Sequence, residues 1–345
     1  MERSILITGG TGYVGSHLAL ALSRAHRVRV VARGQAQGTS RAGRLAELRA
    51  AGVVLVEADM ARPGELAARV SADDVEVIVH GVCSFLEPRG RESLTLRAMT
   101  EALELARRCP RLTQMIDLSS CLVLANNTPD DVAGEDYPCR PDTLHGRNKL
   151  RAEQMLEASG APWLVLRISQ VYGGAGSSYD WIVVDPLRRR ALPVPSNGNN
   201  RVGLVHVDDV AQAAGLAIEQ GVVGRRYNVC SGDSQVTQGA LFDHIADLWG
   251  VKRPTRLPRA VAMTYAWLSE HGARVLGREP KLIVDMVRVL SAHRVMSIDA
   301  ARADLGYQPA FPRTLEGVAA AYADVFAGRA EPFVPDGGLD EVRNR

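Results

Sequence analysis

Short runs of apolar residues alternate with amphipathic stretches along the N-terminal half of the chain. Strands are predicted at Ile5–Thr8, Val28–Ala32, Val53–Glu57, Val77–His80, Met115–Ser119 and Trp163–Ile168. These runs are almost uniformly apolar, which is typical of strands that are covered on both faces. Helices are predicted between them, for example at Tyr13–Ser23 and Ser93–Cys109. The alternation predicts an α/β fold with a doubly wound parallel sheet.

The pattern changes after Val171. Residues 172–200 are rich in glycine and proline and carry three aromatic side chains, Tyr172, Tyr179 and Trp181. A strand and helix pattern returns over Val202–Val210 and Ala211–Gln220, and residues 236–290 look mostly helical with proline breakers. The aromatic segment therefore has the character of an insertion over a ligand cleft.

These changes predict two structural units and a tail. We expect a Rossmann-type nucleotide-binding domain over residues 1–171 with a return segment at about 202–230, a smaller and mostly helical substrate-binding lobe from residues 172–201 and 231–330, and a tail at 331–345. A length of 345 residues suits this division.

Charge and cysteine usage exclude several classes of protein. The formal net charge is +2, so no global field favours nucleic acid or a membrane surface. The five cysteines show no metal-ligand spacing, and they are expected to be reduced thiols without a metal. No apolar run is long enough to span a bilayer, and the first strand begins at Ile5, which leaves no room for a signal peptide. A cytoplasmic location is expected.

A glycine-rich turn follows the first predicted strand. It satisfies both Gly10-x-Gly12-x-x-Gly15 and Thr8-Gly9-x-x-Gly12-x-x-Gly15. Glycines there allow a tight turn and a close approach of the backbone to a pyrophosphate, which the helix N-terminus then attracts. The placement between a buried strand and a helix predicts a dinucleotide site rather than a structural turn. The candidate contacts in this turn are Gly9, Gly12, Tyr13, Val14 and Gly15.

The ends of the next two strands bear on the choice of cofactor. The second strand ends at Arg33, with no carboxylate before Glu47. An arginine suits the 2′-phosphate of NADP, whereas NAD sites place a carboxylate there, so NADP(H) is the predicted cofactor. A solvated surface arginine is the alternative. Asp59 and Met60 follow the third strand; Asp59 can bond the adenine amine or can make a turn.

These motifs, with several later ones, resemble the extended short-chain dehydrogenase/reductase family, especially its dihydroflavonol-reductase and 3β-hydroxysteroid-dehydrogenase branch. The later matches are His80-Gly81-Val82, Asp117-Leu118-Ser119-Ser120, His145-x-x-x-Lys149 with Glu153, Leu166-Arg167, Val205-His206-Val207-Asp208-Asp209-Val210 and the stretch from Ala301 to Pro309. The resemblance covers almost the whole chain. It implies further cofactor contacts at Gly81 and Val82, and a possible homodimer.

The resemblance also implies catalytic roles. Ser120, or its neighbour Ser119, takes the place of the family's residue that hydrogen-bonds the substrate carbonyl. Lys149 takes the place of the lysine that bonds the nicotinamide ribose and lowers the pKa of the catalytic tyrosine. That tyrosine is replaced by His145, and Thr95 stands where the family often has an asparagine.

Three interpretations of His145 remain open. It can act as the acid, since imidazole titrates near neutrality; it can position ribose or water; or it can fill space. The neighbouring Lys149 cation disfavours imidazolium, which weakens the first interpretation. Other proton sources are Tyr137, Ser120 through water, or a phenol on the substrate next to the ketone. Tyrosine-less ketoreductases of actinomycete antibiotic pathways are similar in this respect.

The leading hypothesis is an NADPH-dependent ketoreductase for a hydrophobic, polycyclic aromatic ketone. Tyr172, Tyr179 and Trp181 are candidate stacking residues for such a substrate, or anchors for the insertion. A catalytically silent NADP(H) sensor is one alternative, favoured by the lost tyrosine. A nucleotide-sugar epimerase or dehydratase is another.

Overall fold

The computed structural model describes residues 1–33, 39–84, 93–173, 176–189, 193–276, 280 and 282–329. Its strands are β1 (Ser4–Thr8), β2 (Arg27–Ala32), β3 (Val54–Glu57), β4 (Val77–His80), β5 (Gln114–Ser120), β6 (Trp163–Ile168), β7 (Gln170–Tyr172), β8 (Val194–Pro195), β9 (Leu204–His206), β10 (Arg225–Val229) and β11 (Arg256–Leu257). The predicted tail at 331–345 and the side chain of Trp181 lie outside the described residues.

The helices are α1 (Tyr13–Leu22), α2 (Thr39–Ala50), α3 (Glu65–Arg69), α4 (Leu94–Arg108), α5 (Leu144–Glu157), α6 (Asp185–Arg188), α7 (Val207–Gln220), α8 (Gln238–Leu248), α9 (Arg259–Val275), α10 (Val284–Ser291), α11 (Asp299–Leu305), α12 (Thr314–Ala321) and α13 (Ala323–Phe326). Two short turns complete the set, a 3₁₀ turn at Cys121–Val123 and a π-helical turn at Asp180–Val184.

The main sheet has seven parallel strands in the order β3-β2-β1-β4-β5-β6-β10. The order reverses between β1 and β4, which is the point where doubly wound sheets bind ligands at the carboxyl ends of their strands. The predicted fold class is therefore confirmed, and the six strands predicted from apolar runs lie within one residue of the observed bounds.

Helices cover both faces of this sheet. On β1 the side chains of Ile5 and Ile7 pack into one core with α1 and α7, and Leu6 between them packs into a second core with α4 and α5. Successive residues of a strand point to opposite faces, so both alternating sets must be apolar when both faces are covered. This is why the strands showed as continuous apolar runs.

The return segment differs from its prediction. The strand expected over Val202–Val210 ends at His206, and α7 begins at Val207. The His206 side chain accepts a hydrogen bond from the Asp208 amide and so caps the helix. In addition, β9 pairs with β7 in a small separate sheet, and β10 provides the seventh strand of the main sheet. An apolar run across a strand–helix junction hides such a boundary.

Among the described residues, the helices are all too short or too polar to cross a membrane.

Candidate functional site

A cleft of about 910 Å³ runs along the carboxyl ends of the central strands. One end lies against the turn between β1 and α1, and the other end is closed by the Asp180–Val184 turn and α10. All eleven predicted cofactor contacts line the cleft: Gly9, Gly12, Tyr13, Val14, Gly15, Arg33, Asp59, Met60, Gly81, Val82 and Lys149. The fold thus gathers residues from five chain segments at one edge of the sheet.

The glycine turn has the form that a bound pyrophosphate requires. Gly9 has a φ of +73°, and a Cβ on Gly15 would lie 2.3 Å from the Gly9 carbonyl oxygen, so neither position accepts another residue without strain. Gly12 caps α1 without any side-chain hydrogen bond to the first helical amides. Those amides remain available for an anion at the helix N-terminus. The residues present therefore fit a dinucleotide.

The adenosine end of the cleft is rich in arginine. Arg33 lines it as predicted, and Arg44 on α2 and Arg62 line it too, although the sequence analysis had not singled them out. Asp59 is the single carboxylate among the described lining residues, and its Oδ1 accepts a hydrogen bond of 2.9 Å from the Ala61 amide. Of the two roles considered for Asp59, the structure shows the role in the turn.

Ser120, His145 and Lys149 all line the cleft. Ser120 is the last residue of β5, and its Oγ accepts a hydrogen bond of 3.2 Å from the Leu122 amide, which starts the 3₁₀ turn. Its neighbour Ser119 donates a hydrogen bond of 2.5 Å to Glu153 Oε1. Because Glu153 also forms a buried ion pair with Arg167, Ser119 is held in a structural network and Ser120 is the serine left to face a ligand.

His145 lies in the first turn of α5. Its Nδ1 is 3.2 Å from the Ser84 carbonyl oxygen. Burial, and secondly the charge of Lys149, lower the pKa of His145 to about 4. The imidazole is therefore neutral at neutral pH, and the expectation that Lys149 disfavours imidazolium agrees with its surroundings.

Lys149 is almost fully buried one turn further along α5. Its Nζ donates a hydrogen bond of 2.6 Å to the Leu118 carbonyl oxygen and lies 3.5 Å from Asp117 Oδ1. Burial opposes the charge of Lys149, but the Asp117 carboxylate outweighs it, and the pKa of Lys149 is raised. Burial in turn raises the pKa of Asp117 to about 6.

Gly146 is a site residue that the sequence analysis missed. A Cβ at this position would lie 2.2 Å from the Leu122 carbonyl oxygen. The glycine therefore lets α5 press against the 3₁₀ turn that follows Ser120, which brings His145 and Lys149 close to that serine. A glycine in the first turn of a predicted helix was the available signal, since glycine is otherwise unfavourable there.

The aromatic candidates separate in the structure. Tyr179 lines the cleft, but Tyr172 does not; it is fully buried, and its ring packs edge-on against His206 at 5.3 Å. Tyr172 is thus an anchor of the lobe core, and its prediction as a substrate contact is wrong. Tyr137 also lies outside the cleft, with its hydroxyl donating to Asp131.

The far end of the cleft is aliphatic. Its described lining residues include Leu94, Leu122, Ile182, Val183, Met286, Val289 and Leu290. Apart from Lys149, none of the described lining residues at this end carries a charge at neutral pH. Such a wall favours an apolar ligand with few polar groups.

The chain has relatives among known proteins. Residues 5–230 match the NAD dependent epimerase/dehydratase family. A 3-diazoavenalumate denitrifying reductase from a Streptomyces species is 28% identical over 91% of this chain and 98% of its own length. The human short-chain dehydrogenase/reductase family 42E member 1 is 26% identical over 89% of this chain and 84% of its own.

Solved structures share the fold. A UDP-glucuronic acid 4-epimerase from Bacillus cereus, in complex with UDP-glucuronic acid and NAD, superposes with a TM-score of 0.71. The two are 18% identical, over 95% of this chain and all of the epimerase chain.

Proposed function

This chain belongs to the NAD dependent epimerase/dehydratase family, and from that premise we propose that it is an NADPH-dependent ketoreductase for a hydrophobic, polycyclic aromatic ketone of the polyketide type. One observation carries the proposal. A single cleft joins a dinucleotide turn to an aliphatic end, with Ser120, His145 and Lys149 between them. When bound, the cofactor supplies a hydride at this junction.

The choice of NADPH is supported by charge at the adenosine end. Arg33, Arg44 and Arg62 line it, and the only described carboxylate there, Asp59, is engaged in its own turn. A 2′-phosphate is recognised by guanidinium groups, whereas the 2′-hydroxyl of NAD is held by a carboxylate.

The choice of substrate is supported by the aliphatic end. A nucleotide-sugar diphosphate needs cationic partners, and the described lining residues there supply none beyond Lys149. A planar, apolar ketone suits a lining that includes Ile182, Met286 and the aromatic ring of Tyr179. The Streptomyces relative is itself a reductase.

In this proposal Ser120, which lines the cleft, orients the carbonyl. His145 is a poor acid, because a pKa of about 4 leaves roughly one imidazole in a thousand protonated at pH 7. The proton must then come from a group other than His145: a phenol beside the ketone, a water molecule, or another residue that lines the cleft. Orientation and cofactor placement account for much of the rate enhancement in such a site.

The test is the loss of reduced-nicotinamide absorbance with NADPH and with NADH over a panel of aromatic polyketide ketones. Each ketone with a neighbouring phenol is paired with a matched compound that lacks it. We expect turnover with NADPH. An Arg33→Ala variant should lose at least about tenfold in NADPH affinity and little in NADH affinity, since one charged hydrogen bond is worth about 1.5–3 kcal/mol.

An Arg225→Ala variant, at an exposed position on β10, is the control and should bind both cofactors as the wild type does. Tight NADPH binding without consumption on any ketone would contradict the proposal and favour a sensor. Turnover of a nucleotide sugar without net NADPH consumption would favour an epimerase.

A further inference from the structure

A buried carboxylate lies directly behind the catalytic lysine. Asp117 is fully buried on β5, with its Oδ1 3.5 Å from Lys149 Nζ. Its Oδ2 has no hydrogen-bond partner in the described part of the chain. A buried, half-satisfied carboxylate is costly, so its persistence beside the lysine needs a reason.

The other titratable groups around the pair are accounted for. His80, paired with Asp117 across β4 and β5, shares a hydrogen bond of 2.8 Å with Thr8 Oγ1. Burial, and secondly Lys149, lower the pKa of His80 to about 3, so it is neutral. From α5, Glu153 also faces Asp117 and is itself paired with Arg167.

Cys83 and His145 are further titratable neighbours of Lys149, and both line the cleft. Among the charged groups around Lys149, the carboxylate of Asp117 does most to favour the protonated ammonium.

The geometry leaves one N–H of Lys149 for the cleft. An ammonium carries three N–H groups. The Leu118 carbonyl oxygen, at 2.6 Å, and Asp117 account for two of them, both on the β5 side of the lysine. Lys149 lies one helical turn from His145, the residue that stands in place of the tyrosine, and both side chains line the same cleft as Ser120.

We propose that Lys149 donates the proton that completes ketone reduction, and that Asp117 keeps Lys149 protonated in its buried position. This inference rests on the proposed reductase function. Once the carbonyl carbon has received the hydride, the carbonyl π pair resides on oxygen. An N–H bond of Lys149 then breaks as the O–H bond of the alcohol forms, and the neutral amine regains a proton from solvent in the cleft. The Asp117 carboxylate favours that return.

The first test needs no substrate. The chain has three lysines, Lys149, Lys252 and Lys281, so labelling lysine with ¹³C at the ε position gives three signals. The signal that a Lys149→Met variant lacks is that of Lys149. In the wild type it should titrate above the ordinary lysine range. Asp117→Asn should lower that titration by about one to three pH units, because an opposite charge at this distance is removed.

An Asp299→Asn variant is the control, since the Asp299 side chain is 86% exposed and faces solvent. It should leave the Lys149 signal unchanged. An unchanged Lys149 titration in Asp117→Asn would overturn the inference.

The second test is the pH dependence of ketone reduction. Turnover should fall on the alkaline side as Lys149 loses its proton, and Asp117→Asn should move that fall to lower pH by the amount seen in the ¹³C titration. Lys149→Arg keeps the charge but holds its proton, so turnover at pH 7 should fall at least about a hundredfold while NADPH still quenches tryptophan fluorescence. If Asp117→Asn does not fold, Lys149→Arg still tests whether Lys149 donates the proton.

The outcomes separate the two proposals. The inference is overturned if turnover of Asp117→Asn falls at the same alkaline pH as that of the wild type, or if Lys149→Arg keeps its turnover. Either result leaves the reductase function standing. Turnover confined to ketones with a neighbouring phenol would do the same, since the phenol would then be the donor. A wild type that reduces no ketone overturns the reductase function, and the role of Lys149 falls with it.

Discussion

Replacement of Gly146 by alanine tests whether the contact between α5 and the turn after β5 builds the active site. The added Cβ would lie 2.2 Å from the Leu122 carbonyl oxygen and 3.0 Å from Pro141 Cβ. Both partners are backbone or ring atoms, and the Gly146 amide is fixed by a bond to Thr143 Oγ1. The methyl group therefore cannot be accommodated by a change of rotamer, and the helix must move.

The size of the effect follows from these distances. Ordinary carbon–oxygen contacts begin near 3.4 Å, so α5 has to move by about 1 Å at this point. Overpacking of this kind costs about 1–3 kcal/mol, and alanine recovers about 0.5–1 kcal/mol by its better helix propensity. We expect a net loss of about 1–2 kcal/mol. Since His145 and Lys149 move with the helix, turnover should fall by about a hundredfold.

The assay compares Gly146→Ala with Gly43→Ala. Gly43 also lies in a helix, α2, but is exposed, and a Cβ there would meet nothing within 4 Å. The midpoint temperature of thermal unfolding should be several degrees lower in Gly146→Ala than in the wild type, and in Gly43→Ala it should equal or exceed that of the wild type. NADPH consumption should fall only in Gly146→Ala. Equal stability and equal turnover of the two variants would refute the reasoning.

Two further predictions concern neighbouring groups. His145→Gln should keep turnover within several-fold of the wild type, and a hundredfold loss would contradict this. If His145, with a pKa of about 4, were the proton donor, the wild-type rate would fall tenfold for each pH unit between pH 5 and 8. We expect no such fall. Glu153→Gln should lower the free energy of unfolding by about 3–5 kcal/mol, because it leaves the buried guanidinium of Arg167 without its carboxylate. Denaturant unfolding measures the free energy of unfolding of this variant and of a control, Glu157→Gln, whose partner Arg226 is one-third exposed. Equal losses in the two variants would refute the special role of the buried pair.

Several features were predictable because their causes are local. The six strands were located within a residue, since a strand covered on both faces must be apolar throughout. The glycine turn was identified because its spacing, between a strand and a helix, follows from the backbone itself. Burial is the main cause of the low pKa of His145, and the smaller cause, the charge of Lys149 one helical turn away, could be anticipated from the sequence.

Other features depend on groups that are distant in the sequence. Arg44 and Arg62 reach the adenosine end from separate segments, and no local pattern marks them. Tyr172 and Tyr179 have similar surroundings in the sequence, yet one is buried in the lobe core and one lines the cleft. An aromatic residue in an insertion is placed by the surfaces that it meets after folding.

The sequence by itself therefore determined the parallel sheet, the glycine turn and a histidine at position 145, because each depends on residue type and short-range spacing. The tertiary structure alone decided which groups surround Lys149 in the cleft. The carboxylate of Asp117 lies behind Lys149 only because β5 and α5 pack together, and the bare backbone of Gly146 permits that packing. Contacts between elements arise from packing of surfaces, which spacing along the chain does not encode.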